Sequence, residues 1–148
     1  MSRIRRILHP SDFSRASGAA FTKAVDLAKT NKAELLVVHV LAPILPMLAD
    51  GYVSPKVYED LLASARAYGK KNLDALVAKA KKAGVRTKSI LLEGTAHAQI
   101  ARTARRLRAD FVVMGTHGRA GLAKLFLGSV AGRVVAIAPC PVMTVRGK

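Results

Sequence analysis

The chain is poor in the residues that carry redox, metal and base-stacking chemistry. It has one cysteine, Cys140, no tryptophan, and aromatic residues at only 5% of its 148 positions. A single thiol excludes an intrachain disulfide, and such sparing use fits a reducing compartment. Cys140 stands between Pro139 and Pro141. It reads as a small, half-buried side chain rather than a nucleophile, because no histidine or acid lies near it in sequence. His9 and His97 stand alone, with no second ligand at metal spacing, so no metal site is assigned. His39 lies in an apolar run and reads as a core histidine. The scarcity of aromatics argues against a platform for stacking nucleic-acid bases. Long apolar runs are also missing. The longest, residues 37–49, falls short of the roughly 20 residues a bilayer span needs and is broken by Pro43 and Pro46. The basic opening Met1–Arg6 lacks the apolar stretch of a signal peptide, since His9, Pro10, Ser11 and Asp12 follow at once. A cytoplasmic protein is expected, folded as one domain over residues 1–148.

Acidic residues are few as well. Nine Asp and Glu face 25 Lys and Arg, for a net charge of +16. A field of that size attracts nucleotides, nucleic acid and acidic membranes without choosing among them. The densest basic cluster is Arg102, Arg105, Arg106 and Arg108. It falls mostly off the apolar stripe of its helix and reads as a solvated face.

What the chain does contain is regular alternation. Short β-rich runs are expected at residues 6–9, 35–40, 85–92, 111–114 and 142–145. The second and fourth are continuously apolar, as strands buried on both faces should be. Between them fit four helices. Ser14 caps the first, which runs to about Asn31 with Ala20, Ala24, Leu27 and Ala28 inward. Pro55 suits the first turn of the second, which places Val57, Leu61, Ala65, Tyr68, Leu76 and Ala80 inward and ends at Gly84. Thr95 is expected to cap the third, with Ile100, Ala104 and Leu107 on one stripe. Ser129 begins the fourth, with Val130, Val134 and Ile137 inward. The order βαβαβαβαβ argues for one parallel sheet with helices on both faces. Ligands of such sheets bind beyond the strands' C-terminal ends, where the winding reverses. The loops after the first and fourth strands, 9–14 and 115–129, are therefore the candidate pair. The irregular connection 42–54 is a candidate flap beside them.

Gly115-Thr116-His117-Gly118 follows the fourth strand directly, and nine residues later Gly128-Ser129 opens the last helix. Glycines that allow positive φ and close approach, next to a helix N-terminus, suit a phosphate group. A glycine-rich surface loop with Ser129 as an ordinary N-cap fits the same residues. His117 is either a solvated loop residue or a phosphate contact. The Walker A and Rossmann glycine patterns are both absent.

The spacing Gly115-x-x-Gly118, nine residues, Gly128-Ser129 resembles the nucleotide-binding signature of the universal stress protein family. Residues 7–14, 36–40, 111–118 and 138–145 are similar to that family's first, second, fourth and closing strands. The resemblance implies a Rossmann-like five-stranded sheet of order 3-2-1-4-5, akin to the adenine nucleotide alpha hydrolases. It implies the branch that binds ATP, with Mg2+ or Mn2+. It carries the nucleotide site onto Pro10, Ser11, Asp12, Val40, Met114, Gly115, His117, Gly118, Gly128, Ser129 and Val130. Asp12 would lie near the ribose or the metal-phosphate region, with the Val40 backbone at the adenine edge. Met114 and Gly115 would line the ribose side. Gly118, Gly128, Ser129 and Val130 would hold the phosphates. Val142, Met143, Thr144 and Val145 would pair with their copies in a homodimer. That agrees with an apolar edge strand carrying no charge before Arg146.

Asp12 could simply cap the first helix or hold a turn, but its place opposite the glycine loop favours a ligand. No catalytic residue is assigned. The expected function is an ATP-binding switch in a stress response or signalling. The alternatives are a slow ATPase or phosphotransferase, or an anion binder driven by charge.

Overall fold

The computed structural model describes residues 3–43, 54–116 and 127–147. Its elements follow the expected alternation: β1 (Arg6–Pro10), α1 (Arg15–Asn31), β2 (Glu34–Leu41), α2 (Pro55–Lys82), β3 (Thr87–Glu93), α3 (Ala96–Arg106), β4 (Phe111–Gly115), α4 (Ser129–Ile137) and β5 (Val142–Val145). The strands form one parallel sheet of order β3-β2-β1-β4-β5. Because alternate side chains leave a strand on opposite faces, the apolar strands feed two cores at once. Ile7, Leu35, Val37 and Val113 meet α1 and α2 on one face, while Leu8, Leu36, Val38 and Val112 meet α3 and α4 on the other. Each such side chain contributes roughly 1.5–3 kcal/mol by leaving water.

Local chemistry places the helix ends. Ser14 Oγ accepts from the Ser17 N–H at 3.2 Å and Ser54 Oγ from the Val57 N–H at 3.2 Å, so both helices start on a side-chain cap. Thr95 occupies the N-cap position of α3, but its side chain makes no capping bond. Gly84 follows α2 at φ 89°. β3 starts at Thr87, two residues later than expected, because the Val85 N–H still closes the helix end on the Ala80 carbonyl at 3.0 Å. Among the described residues no helix is long and apolar enough to cross a membrane.

Two helices keep part of the expected inner face, with Leu76 and Ala80 of α2 and Val134 of α4 turned to the core, and expose the rest. On α2, Val57, Leu61 and Tyr68 are roughly half exposed, and the buried positions are Gly69, Leu73 and Ala80. A Cβ on Gly69 would stand 2.9 Å from Leu91 Cδ1 and 3.2 Å from His39 Cδ2. The helix therefore rests on its smallest residue, and that contact, not the count of large side chains, sets its rotation. A shift of one residue turns the buried stripe by about 100°. On α4, Val130 and Ile137 are exposed, and the small Ala131 is buried with Val134.

The glycines divide into those that are needed and those that are not. A Cβ on Gly115 would approach the Ala16 backbone to 3.1 Å, whereas one on Gly18, within α1, would meet nothing within 4 Å. Gly115→Ala should lower stability by about 1–3 kcal/mol. Gly18→Ala should raise it by roughly 0.5–1 kcal/mol through helix propensity. Urea midpoints of the two variants check both signs, and a stabilised Gly115→Ala would refute the close packing of α1 on β4.

Candidate functional site

β1 and β4 are neighbours in the sheet but send their chains to opposite sides, so the crevice of the fold opens between their C-terminal ends. The pairing of the two strands is Ile7 with Phe111 and Leu8 with Val112. The next donor along β1 would be the nitrogen of Pro10, which carries no hydrogen. The Val113 carbonyl instead accepts from His9 Nδ1 at 2.8 Å. Since a carbonyl only accepts, the proton sits on Nδ1 and the lone pair on Nε2, which is buried without a partner. Burial pushes the His9 pKa down from 6.5 to about 4, against the upward pull of the Val113 carbonyl and the Asp12 carboxylate. His9 is thus a neutral histidine that fastens β1 to β4 under the crevice.

Above it, residues 10–14 form a hydrogen-bonded turn. The Ser11 N–H donates to the Val38 carbonyl at 2.8 Å, and the Phe13 N–H to Ser11 Oγ at 3.0 Å. Asp12 Oδ1 accepts from the Ser14 N–H at 2.9 Å and from Ser17 Oγ at 2.7 Å. One oxygen of Asp12 therefore holds the turn. Phe13 takes a left-handed φ of 64°, uncommon for a side chain of that bulk. Its ring lies 4.3 Å from that of His39 and meets Tyr68 edge-on at 5.8 Å. His39 Nδ1 donates to the Ser11 carbonyl at 2.7 Å, so this histidine braces the turn rather than filling the core.

A cavity of about 270 Å³ opens beside this turn. Asp12, His39 and Val40 form its strand side, and Leu62, Ala65 and Tyr68 of α2 close it. Ala65 and Tyr68 of this wall were expected on the inner face of α2, whereas Leu62 was not. Of the expected site residues, Asp12 and Val40 lie on this cavity. Pro10 and Ser11 are buried in the turn and its strand. Met114 is buried in the core under α3 and α4.

The glycine stretch departs in part from its expected logic. Gly115 does not adopt positive φ. It is required where the first turn of α1 presses on the end of β4. The N-cap of α4 is Gly128, not Ser129, and it supplies no side-chain bond to the first turn. The Gly128 N–H donates to the Thr116 carbonyl, and the Thr116 N–H to the Val145 carbonyl at 2.9 Å. These bonds anchor the start of α4 directly beside the end of β4. Its first-turn N–H groups, which no helix can pair internally, point out of that end with Ser129 and Val130 exposed. His117 and Gly118 lie outside the described residues, as do residues 44–53 of the expected flap.

Among the described residues no group of three or more His, Cys, Asp or Glu is arranged to hold a metal ion. Burial, and then the Asp110 charge, push the Cys140 thiol above its ordinary pKa, away from nucleophilic use.

The family model described as the universal stress protein family matches residues 3–146. A universal stress protein of Methanocaldococcus jannaschii is 34% identical over 144 residues, covering 96% of this chain and 82% of its own. The solved structure of universal stress protein UspA from Lactobacillus plantarum is 27% identical, with a TM-score of 0.84 over 99% of this chain and 100% of that one. A universal stress protein family protein of Arabidopsis thaliana, solved with AMP bound, is 25% identical, with a TM-score of 0.71 over 97% of this chain and 92% of that one.

The buried His9 makes stability depend on pH with a definite sign. The unfolded chain binds a proton near pH 6.5 and the folded chain only near pH 4. Stability from this group is intact above pH 6.5 and falls as the pH drops toward 4. Between pH 7.5 and 5 the loss should be about 2 kcal/mol. His9→Leu should flatten that part of the urea-midpoint profile while lowering stability at pH 7.5 by about 1 kcal/mol. An unchanged slope in the variant would assign the pH dependence elsewhere.

Proposed function

The chain belongs to the universal stress protein family, and we propose that it binds ATP at the β1–β4 crevice and works as a nucleotide-occupancy switch. The observation that carries this reading is the capless start of α4, anchored through Thr116 beside the end of β4. First-turn N–H groups, which the helix does not pair internally, and the positive end of a helix dipole suit phosphate oxygens, with the Ser129 hydroxyl as a further donor. Gly128 and Val130 would hold the same phosphates, joined by Gly118 and His117. Adenine would take the cavity edged by the Val40 backbone, with Asp12 at the ribose and the backbones of Met114 and Gly115 closing the ribose side. Pro10 and Ser11 set the turn that carries Asp12. The Arabidopsis relative solved with AMP bound is consistent with an adenine ligand. A Mg2+ or Mn2+ ion would ride on the phosphates. Asp12 Oδ1 already accepts from two donors that fix the turn, which suits a wall of the site better than a general base.

The reading includes a homodimer through β5. The Val112 N–H donates to the Pro141 carbonyl and the Thr116 N–H to the Val145 carbonyl. Odd-numbered residues of β5 therefore face β4, and Val142 and Thr144 turn their backbone groups to the open edge. Leu127, Val130, Val135 and Ile137 leave apolar surface on the neighbouring α4 segment. A second copy of the strand would satisfy that edge.

Four measurements test these readings. Saturating ATP, at about 100 times Kd, should stabilise the protein by about 2.7 kcal/mol and raise its Tm by roughly 5–10 °C. Ser129→Ala combined with Gly118→Ala should weaken ATP binding at least about tenfold. An unaltered affinity would remove the phosphate assignment, and single-turnover hydrolysis clearly above the buffer blank would replace the switch with an ATPase. In sedimentation equilibrium, Thr144→Pro should convert dimer to monomer with little loss of fold, because it deletes an N–H that β4 does not use. A dimer that persists would move the interface off β5.

A further inference from the structure

At the opposite end of the sheet lies a second cavity, of about 390 Å³, lined by Arg3, Arg5, Arg6, Lys32, Glu34 and Arg86. The fold itself gathers these residues. The Glu34 N–H donates to the Arg5 carbonyl at 2.8 Å and the Leu35 N–H to the Arg86 carbonyl at 2.8 Å. These bonds hold the entries to β1, β2 and β3 side by side. The Arg5 and Arg6 N–H groups are pinned in turn on Asp110 Oδ2, at 2.8 and 3.0 Å.

The charges there do not balance. Glu34 is already shared between Arg6 Nε at 3.9 Å and Lys88 Nζ at 3.6 Å. Among the described residues no carboxylate forms an ion pair with Arg3, Arg5, Lys32 or Arg86. Lys32 shows a further cost. It terminates α1 at φ 53°, a left-handed position where glycine is the unstrained choice. The end of α2 has glycine at the comparable place. Arg108 takes the same φ of 53° just after α3, and at both helix ends the cation also faces the negative end of the helix dipole.

We propose that this basic cavity is a binding site for a linear oligophosphate, separate from the crevice and facing away from it. Guanidinium groups donate to phosphate oxygens in forked pairs, and several cations around one cavity match several phosphates along one chain. No aromatic side chain lines the cavity, so it offers phosphate contacts and no base stacking.

The test is calorimetric titration of the full chain with inorganic tripolyphosphate, repeated at several salt concentrations. Arg86→Gln and Lys32→Gly should each weaken binding about fivefold and reduce the salt slope by about one. Lys32→Gly relieves the left-handed strain, so its Tm should equal or exceed that of the parent. That result separates lost binding from lost folding. Unchanged tripolyphosphate affinity in both variants would overturn the proposal and place any bound ion in the crevice. A short DNA duplex of matched charge forms the second arm. Duplex binding that exceeds tripolyphosphate binding and falls in both variants would also overturn it, in favour of nucleic acid.

Discussion

The β1–β4 ladder stops where Pro10 has no hydrogen to donate, and the architecture of the crevice rests on that interruption. The carbonyl of Val113, left without its ladder donor, is taken by His9 Nδ1 from within the same strand. The bond leaves Nε2 unpartnered in the core, a cost offset by keeping two strands together where their chains must diverge. Past that point β1 enters the turn of Asp12 and β4 passes to Thr116, and the space between them is the crevice.

The first turn of α1 closes the base of this arrangement. Asp12 draws Ser14 and Ser17 toward the end of β1, and the Ala16 backbone seats against Gly115 at the end of β4. One helix start thus locks both lips of the crevice. The same geometry explains why Gly115 must be glycine although its φ is ordinary. Its position in a glycine-rich signature and its packing role coincide, and only the second is visible in the geometry.

The two ends of the sheet contrast in chemistry. The C-terminal end offers helix N–H groups and a partly apolar cavity closed by α2. The N-terminal end offers side-chain cations whose few acidic neighbours are already engaged. A net charge of +16 is therefore not a uniform coat. Part of it is spread over exposed helix faces such as Arg102, Arg105 and Arg106, and part is held together by the backbone ladder at the entries of β1, β2 and β3.

Sequence alone determined the alternation of elements, since runs such as residues 35–38 and 111–114 carry the apolar continuity of doubly covered strands. Ser14 and Gly84 marked helix ends through local chemistry that acts over a few residues. The resemblance to a family, carried by the glycine spacing, supplied the strand order. Tertiary structure decided what depends on contacts between distant segments. Gly69 seated α2 so that Leu62 joins the expected Ala65 and Tyr68 on the cavity while Val57 and Leu61 face water. His39 left the core to brace the Ser11 carbonyl. Arg5, Lys32 and Arg86, scattered along the chain, came to share one cavity. In each case the deciding term is a close approach or a hydrogen bond to a residue far away in sequence, which neither periodicity nor local propensity records.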